Sequence, residues 1–195
     1  MAVRRQRRPP GAVRIIGGHW RGRRIPVPDR AGLRPTPDRV RETLFNWLQP
    51  VIRGARCVDL FAGSGALGLE ALSRGALAVV AIERDPQAAE RLRTTAASWP
   101  EPRLVVLCRD ALALVESLQP PFDIAFVDPP FGLGLARPVL ARLAARPAAD
   151  GPAWIYLECE RALEPAALPP GWLLHRAGHA GEVAYQLYRR EAGAA

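Results

Sequence analysis

The sequence predicts an α/β protein built on a mostly parallel sheet with helices on both faces. Two observations support this prediction. After residue 56, short and nearly continuous apolar segments alternate with amphipathic ones, the pattern of strands that are buried on both faces and of the helices that cover them. A glycine-rich loop also follows the first apolar segment, at the position where sheets of this kind bind their ligands.

The predicted elements follow one another from residue 56 onward. Strands and helices alternate, strand first, over residues 56–63, 66–75, 76–83, 86–99, 103–110, 111–118, 122–128, 135–145 and 154–160. Two last apolar segments, 172–178 and 182–190, flank the turn 179–181 and predict an antiparallel hairpin. We expect this hairpin to add an edge to the parallel sheet.

Positive charge is concentrated at the N-terminus. All 27 basic residues are arginine, and 14 of them lie in the first 56 residues beside only three acids. The net charge of +8 therefore belongs to this part of the chain, a distribution typical of nucleic-acid contact. We predict three parts: a basic flexible tail (1–12), a basic β-hairpin that contacts RNA (13–35) and the main domain (36–195).

The predicted hairpin bends at Gly17 and Gly18, with its second strand over residues 19–24. A tryptophan among arginines suits RNA, because guanidinium groups pair with phosphates and aromatic rings stack on unpaired bases. A helix is expected to begin at Pro37, with Arg41 on its solvent-facing side. The candidate RNA-binding residues are Arg14, His19, Trp20, Arg21, Arg23, Arg24, Arg34 and Arg39.

Several classes of protein are disfavoured. No apolar segment approaches the roughly 18 residues that a membrane helix requires, and the N-terminus lacks the apolar region of a signal peptide. The three cysteines lie far apart, which suits reduced thiols rather than a disulfide framework or a zinc site. The histidines have no partners at metal-binding spacing. We therefore expect a cytoplasmic protein without a metal or a membrane partner, and nothing requires more than a monomer.

The glycine-rich loop "DLFAGSGALG" contains a G-x-G-x-x-G pattern at Gly63, Gly65 and Gly68. This pattern alone suits either a dinucleotide or S-adenosylmethionine. Asp59, at the end of the preceding strand, favours a cationic amino-acid group, and Asp110 is placed to accept a hydrogen bond from an adenine amino group. The candidate cofactor-binding residues are Asp59, Phe61, Gly63, Gly65, Glu83, Arg84, Asp110 and Ala111.

The fourth strand of the main domain ends in Asp128-Pro129-Pro130-Phe131. Neither proline has a backbone N–H to donate, so the turn is stiff and presents carbonyl groups. The Asp128 carboxylate and the Pro129 carbonyl can together hold both hydrogens of an exocyclic amine, and Phe131 can stack on the base. These four residues are the candidate catalytic residues, and orientation would supply most of the acceleration.

These motifs resemble a known family. D-P-P-F matches the (D/N/S)-P-P-(Y/F) motif of amino-directed S-adenosylmethionine-dependent methyltransferases. The segments "RIIGGHWRGRRIPVP", "LRPTPDRVRETLFNWL", "FVDPPF" and "GEVAYQLYRRE" occur in the order found in bacterial 16S ribosomal RNA guanine-N2 methyltransferases of the RsmD family. The resemblance covers about residues 14–191. It implies a seven-stranded Rossmann-like methyltransferase fold with a small N-terminal hairpin.

The resemblance further implies that the substrate is one specific guanine of 16S ribosomal RNA, in the small subunit or its assembly intermediate. D-P-P-F alone does not separate guanine N2 from adenine N6 or cytosine N4. A DNA adenine-N6 methyltransferase, another amino-directed enzyme such as a protein-glutamine methyltransferase, and a non-catalytic RNA-binding assembly factor remain as alternatives. The first usually carries a target-recognition insertion, for which this chain has no room.

Overall fold

The computed structural model describes residues 11–27, 37–100, 102–119, 121–147, 151–161, 168 and 170–191. Most of the predicted basic tail, residues 1–10, and the candidate RNA-binding residue Arg34 lie outside these residues. Within the described part of the chain, no helix is long and apolar enough to cross a membrane.

The main sheet has seven strands, as predicted. Five of them are parallel: β3 (Arg56–Asp59), β4 (Ala78–Ile82), β5 (Leu104–Leu107), β6 (Ile124–Val127) and β7 (Trp154–Glu160). The last two, β8 (Trp172–Ala180) and β9 (Val183–Arg190), form the expected hairpin, and β9 pairs antiparallel with β7. The order across the sheet is β5-β4-β3-β6-β7-β9-β8, so the strand order reverses between β3 and β6.

Helices cover both faces of the sheet, which confirms the predicted fold class. They are α1 (Asp38–Trp47), α2 (Ala66–Ser73), α3 (Pro86–Ala97), α4 (Ala111–Leu114) and α5 (Ala136–Ala145). Leu44 and Phe45 of α1 pack with Leu67 of α2 on one face, beside Phe126 of β6. Val139 and Leu143 of α5 pack on the other face, against the opposite side of the strands. The hydrophobic core therefore lies on both sides of the sheet.

Several parallel strands end earlier than predicted. Strand β3, for example, ends at Asp59, although apolar residues continue to Ala62. Regular strand pairing ends there, although the N–H groups of Leu60 and Ala62 still donate to the carbonyls of Phe126 and Ile82, and both residues are buried within the loop that follows. The helix predicted over 111–118 is also shorter, because α4 ends at Leu114 and turns follow. Apolar residues that fill the loops at the carboxyl ends of strands extend the apparent length of each strand.

The N-terminal hairpin differs from the prediction. Its strands are only β1 (Ala12–Arg14) and β2 (Arg24–Pro26), and residues 15–23 form the connection, so the predicted second strand over 19–24 is wrong. Gly18 has a φ of +78°, and a Cβ at this position would lie 1.8 Å from the Ser73 carbonyl oxygen. The connection thus follows the C-terminal end of α2 rather than extending as a ribbon.

The hairpin packs closely on the main domain. Val13, Ile15 and Ile25 share a buried cluster with Leu69 of α2 and Leu92 of α3. This apolar contact fixes the hairpin on the same face of the sheet as α2 and α3.

Trp20 takes part in this packing. Its ring meets Trp99, just after α3, edge to face with 5.1 Å between centroids. The Arg23 guanidinium lies 5.5 Å from the centroid of the Trp99 ring. Trp20 therefore has a structural contact that the sequence did not predict, and the residue is only partly exposed.

Candidate active site

One cavity of about 1090 Å³ lies at the carboxyl ends of the parallel strands. It spans the point between β3 and β6 where the strand order reverses, which is where open α/β sheets bind ligands. All twelve candidate cofactor-binding and catalytic residues except Gly65 line it. These lining residues are Asp59, Phe61, Gly63, Glu83, Arg84, Asp110, Ala111, Asp128, Pro129, Pro130 and Phe131.

Gly65 acts on the shape of the loop instead. It precedes α2 with a φ of +80°, a conformation that favours glycine. A Cβ at this position would lie 2.3 Å from a methyl carbon of Leu92, so a larger residue would displace the buried Leu92 side chain of α3. The absence of a side chain at Gly65 lets the loop turn tightly into α2.

Glu83 organises the same loop from the end of β4. Its Oε2 accepts a hydrogen bond from the Gly63 N–H at 2.8 Å, and its Oε1 accepts one from the Asp85 N–H at 2.7 Å. Each carboxylate oxygen retains a second lone pair for a ligand. Glu83 thus connects the glycine loop to the loop after β4 at the edge of the cavity.

Asp59 is the most unusual charged group in the cavity. It is 1% exposed, and its Oδ2 accepts a hydrogen bond of 3.3 Å from the Gly68 N–H. Its Oδ1 is buried and, among the described residues, has no hydrogen-bond partner of standard geometry. The pKa of Asp59 is raised to about 7, chiefly by burial and in addition by the charge of Glu83, while the N–H groups of Gly68 and Phe61 act in the opposite direction. A cationic or hydrogen-bonding ligand group would satisfy this carboxylate.

Asp110 lies on the β5 side of the cavity. Its carboxylate caps α4 by accepting a hydrogen bond of 3.2 Å from the Ala113 N–H, and its side chain is exposed toward the cavity. The cap fixes the position of the carboxylate while one oxygen stays accessible. Arg84 is exposed and Ala111 is buried at the same wall.

The D-P-P-F segment forms the opposite wall. Asp128 directly follows β6, Pro129 is buried, and the Phe131 side chain is 46% exposed. The next residue, Gly132, donates its N–H to Oε1 of Glu160 at the end of β7. A hydrogen bond from the neighbouring strand therefore holds the segment in place beside the cavity.

The hairpin and the β8–β9 turn border the cavity. Pro26 and Val27, which end the hairpin, and Pro37, which precedes α1, are lining residues, and so are residues 180–183 of the turn. The described arginines that we predict to bind RNA are all exposed, and His19 is exposed beside them. These arginines are Arg14, Arg21, Arg23, Arg24 and Arg39.

The prediction that Arg41 faces solvent is wrong. Its side chain is fully buried, and its Nη2 donates to the Arg14 carbonyl oxygen at 2.7 Å and to Asp38 Oδ1 at 2.6 Å. Its Nη1 lies 3.7 Å from Oε2 of Glu70, a residue of α2 that is also fully buried. Arg41 thus connects α1 to both the hairpin and α2.

Glu70 completes this network. Its two oxygens accept hydrogen bonds from the N–H groups of Ile16 at 2.8 Å and Gly17 at 2.9 Å, and from Arg74 Nε at 2.8 Å. All three donors bind the Glu70 carboxylate, so removal of the Glu70 charge would leave them without a strong acceptor. We call Arg41, Glu70 and Arg74 the anchoring network. One signal for it was present in the sequence, since Glu70 interrupts an apolar helix.

The fold and this site define a Rossmann-like methyltransferase. The chain belongs to the RsmD family, because the family model described as "Conserved hypothetical protein 95" matches residues 13–189. It is 49% identical to ribosomal RNA small subunit methyltransferase D of Escherichia coli (strain K12), over 93% of this chain and 92% of the relative.

Two further comparisons agree with this assignment. The chain is 42% identical to ribosomal RNA small subunit methyltransferase D of Haemophilus influenzae, over 92% of this chain and 94% of the relative. The solved structure of the Escherichia coli protein yhhF is similar with a TM-score of 0.82 and 49% identity, and covers 93% of this chain and 99% of its own. The predicted family and fold are thereby confirmed, and so is the prediction of a ribosomal RNA methyltransferase.

Proposed function

We propose that this protein transfers a methyl group from S-adenosylmethionine to the exocyclic N2 of one guanine in 16S ribosomal RNA, at a site of the guanine-966 type. One observation carries the proposal. The Asp128-Pro129 turn and the buried Asp59 carboxylate line the same cavity, on either side of the point where the strand order reverses. An acceptor pair for an amine thus lies across from a group that suits a cationic ligand.

The residues present fit S-adenosylmethionine. The unpartnered Oδ1 of Asp59 suits the ammonium of its amino-acid part, Glu83 suits the ribose hydroxyls, and Asp110 suits the adenine amino group. Gly63 and the adjoining loop would let the ligand approach the backbone closely. When bound, this cofactor would supply an electrophilic methyl group on a sulfonium centre.

The D-P-P-F segment would activate the amine by orienting it. The Asp128 carboxylate and the Pro129 carbonyl are both acceptors, so each can take one N–H of the exocyclic amine. Held in this way, the nitrogen is drawn out of conjugation with the ring, and its lone pair points at the methyl group. Orientation and fixed dipoles of this kind account for large rate enhancements without a strong base.

The nitrogen must lose one proton when it gains the methyl group. Asp128 would accept it and pass it to water, so no residue with a strongly basic side chain is required. Phe131, with its half-exposed ring, would stack on the base and exclude solvent from one side. The base reaches this position only after it leaves the RNA stack, as enzymes that modify bases require.

The exposed arginines of the hairpin would hold the phosphates around the target. Because the hairpin ends at Pro26 and Val27 on the border of the cavity, RNA bound to these arginines would lie beside the entrance. The substrate we propose is the small ribosomal subunit or its assembly intermediate. The protein would act as a monomer in the cytoplasm.

The decisive experiment identifies the modified nucleoside. Small subunits from cells that lack this enzyme are incubated with purified protein and methyl-labelled S-adenosylmethionine, and the RNA is digested to nucleosides. We expect label in N2-methylguanosine at a single position. Label on another base would contradict guanine-N2 specificity, and no label despite cofactor binding would favour the non-catalytic assembly factor.

The variant Asp128→Ala tests the role of the motif. Because the change removes one of two acceptors for the amine, we expect methyl transfer to fall by about 100-fold or more. Binding of RNA and of S-adenosylhomocysteine should remain close to that of the unmodified protein. Glu116→Ala is the matched control, since the Glu116 side chain is exposed, lies outside the cavity lining and forms a salt bridge with Arg142 of α5. Unchanged transfer by Asp128→Ala would contradict the mechanism.

A further inference from the structure

A second carboxylate lies next to the D-P-P-F segment. Glu158, near the end of β7, is only 4% exposed, yet it lines the same cavity as Asp128. Strands β6 and β7 pair in register at Phe126 with Tyr156 and at Val127 with Leu157. One position further along the chain, Asp128 directly follows β6 and Glu158 lies in β7. The two carboxylates therefore occupy neighbouring positions on one face of the sheet.

Glu158 is held in a defined orientation. Tyr156, two residues earlier on the same face, donates its hydroxyl to Oε2 of Glu158 at 2.9 Å. Burial raises the pKa of Tyr156 well above 10, and the charges of Glu158 and Asp128 raise it further, so the hydroxyl stays protonated and remains a donor.

Two neighbouring carboxylates suit a ligand that presents several N–H groups side by side. Guanine has this arrangement, since N1–H and the N2 amine are adjacent donors on its Watson–Crick edge. Adenine and cytosine present an amine beside a ring nitrogen that accepts a hydrogen bond instead. A carboxylate fixed opposite that ring nitrogen would face a lone pair, and a buried acceptor left in this way is strongly unfavourable.

We propose that Glu158 binds N1–H of the target guanine while Asp128 and Pro129 bind its N2 amine. Glu158 is then the residue that selects guanine over bases whose ring nitrogen is unprotonated. The inference rests on the proposed function and extends it, because the D-P-P-F motif by itself does not distinguish among exocyclic amines. It assigns base selection to β7, a strand outside both the cofactor loop and the motif.

The test uses two base analogues that keep the N2 amine but leave N1 unprotonated: 2,6-diaminopurine and 2-aminopurine. Each is placed at the target position of 16S ribosomal RNA, and the RNA is reconstituted into small subunits. Both analogues also lack the O6 carbonyl of guanine, so the contribution of N1 is read from the change in preference that a Glu158 variant produces. We expect the unmodified protein to favour guanine over each analogue by at least about 100-fold in kcat/KM.

The variant Glu158→Gln should narrow this preference by about tenfold or more. The Tyr156 hydroxyl would bind the new amide oxygen, which leaves the amide N–H₂ to donate to an unprotonated N1. Activity on guanine should fall while activity on the analogues rises or holds. Glu116→Gln, an identical change at an exposed position, should leave the preference unchanged.

Three outcomes separate the possibilities. A preference that is the same in Glu158→Gln as in the unmodified protein would overturn the assignment. The assignment would also be overturned if the unmodified protein had nearly equal kcat/KM values for guanine and for the analogues. This measurement does not depend on whether the variant folds. If the unmodified protein does not methylate guanine N2 at all, it is the proposed function that fails. A changed preference with normal S-adenosylhomocysteine binding supports the role of Glu158 in base selection.

Discussion

The buried carboxylate of Asp59 makes a quantitative prediction about stability. Its pKa is raised from the ordinary 3.8 to about 7 in the folded protein. Between these two pH values the unfolded chain has released this proton while the folded chain keeps it, so the folded protein loses stability as pH rises through this window. A difference of about three pH units at about 1.36 kcal/mol each corresponds to about 4 kcal/mol.

The variant Asp59→Asn removes this titration and keeps the size of the side chain. We therefore compare the free energies of unfolding of the two ligand-free proteins at each pH. The value for the variant minus the value for the unmodified protein should become more positive by about 4 kcal/mol from pH 4 to pH 8. Urea unfolding at closely spaced pH values measures this difference directly, and other titrating groups cancel in the comparison. A difference between the two proteins that stays constant across this range would refute the reasoning.

The raised pKa of Asp59 also predicts how ligand affinity depends on pH. An ammonium beside Oδ1 favours the ionised form of Asp59. As the pH increases toward about 7, the affinity for S-adenosylhomocysteine should therefore increase by up to tenfold per pH unit, and above about pH 7 it should stay constant. Methylthioadenosine, which lacks the amino-acid part, should bind with little dependence on pH. Titration calorimetry measures both. Equal pH dependence for the two ligands would mean that Asp59 does not contact the ammonium.

Two further predictions concern the hairpin. Replacing Arg21, Arg23 and Arg24 by alanine should weaken RNA binding and lower the slope of log affinity against log salt by about two to three, whereas Arg137→Ala, on the exposed side of α5, should not change it. An unchanged slope in a salt titration would place these arginines away from the RNA. Glu70→Gln should cost about 3–5 kcal/mol in urea unfolding, because it removes the buried carboxylate that faces both Arg41 and Arg74 and leaves Arg41 with Asp38 as its counter-charge. The added change Arg41→Met should recover part of this loss, and no recovery would argue against the pairing.

Much of the fold could be predicted because the strands are buried on both faces. Continuous apolar runs such as Ile124–Val127 are typical of parallel strands, and the glycines and prolines between them mark the turns. The candidate cofactor and catalytic residues could be predicted on the same physical grounds. An acidic residue at the end of an apolar strand is costly unless it binds something. This argument found Asp59, Glu83, Asp110 and Asp128 at one cavity.

The argument that an acid in an apolar segment needs a binding partner also applies to Glu158 and Glu70, although neither was predicted as a site residue. Both are acids within apolar segments, and both are buried in the structure. Arg41 could not be found from periodicity alone, because a helical pattern assigns a charged residue to the solvent side. Its burial depends on a carboxylate from another helix and a carbonyl of the hairpin, contacts that only the three-dimensional arrangement brings together.

The anchoring network explains how a small basic hairpin can guide a base into a cavity. In the proposed function the exposed arginines would bind phosphates without regard to sequence, so they would orient the RNA only as well as they are themselves oriented. Glu70 fixes the hairpin backbone at Ile16 and Gly17, and Arg41 fixes it at Arg14. An error of about 1 Å at the reacting atoms is enough to reduce a rate greatly. Buried charge–dipole contacts resist such displacement better than an apolar contact, which tolerates sliding, and this favours an ionic anchor at the junction of the hairpin with the main domain.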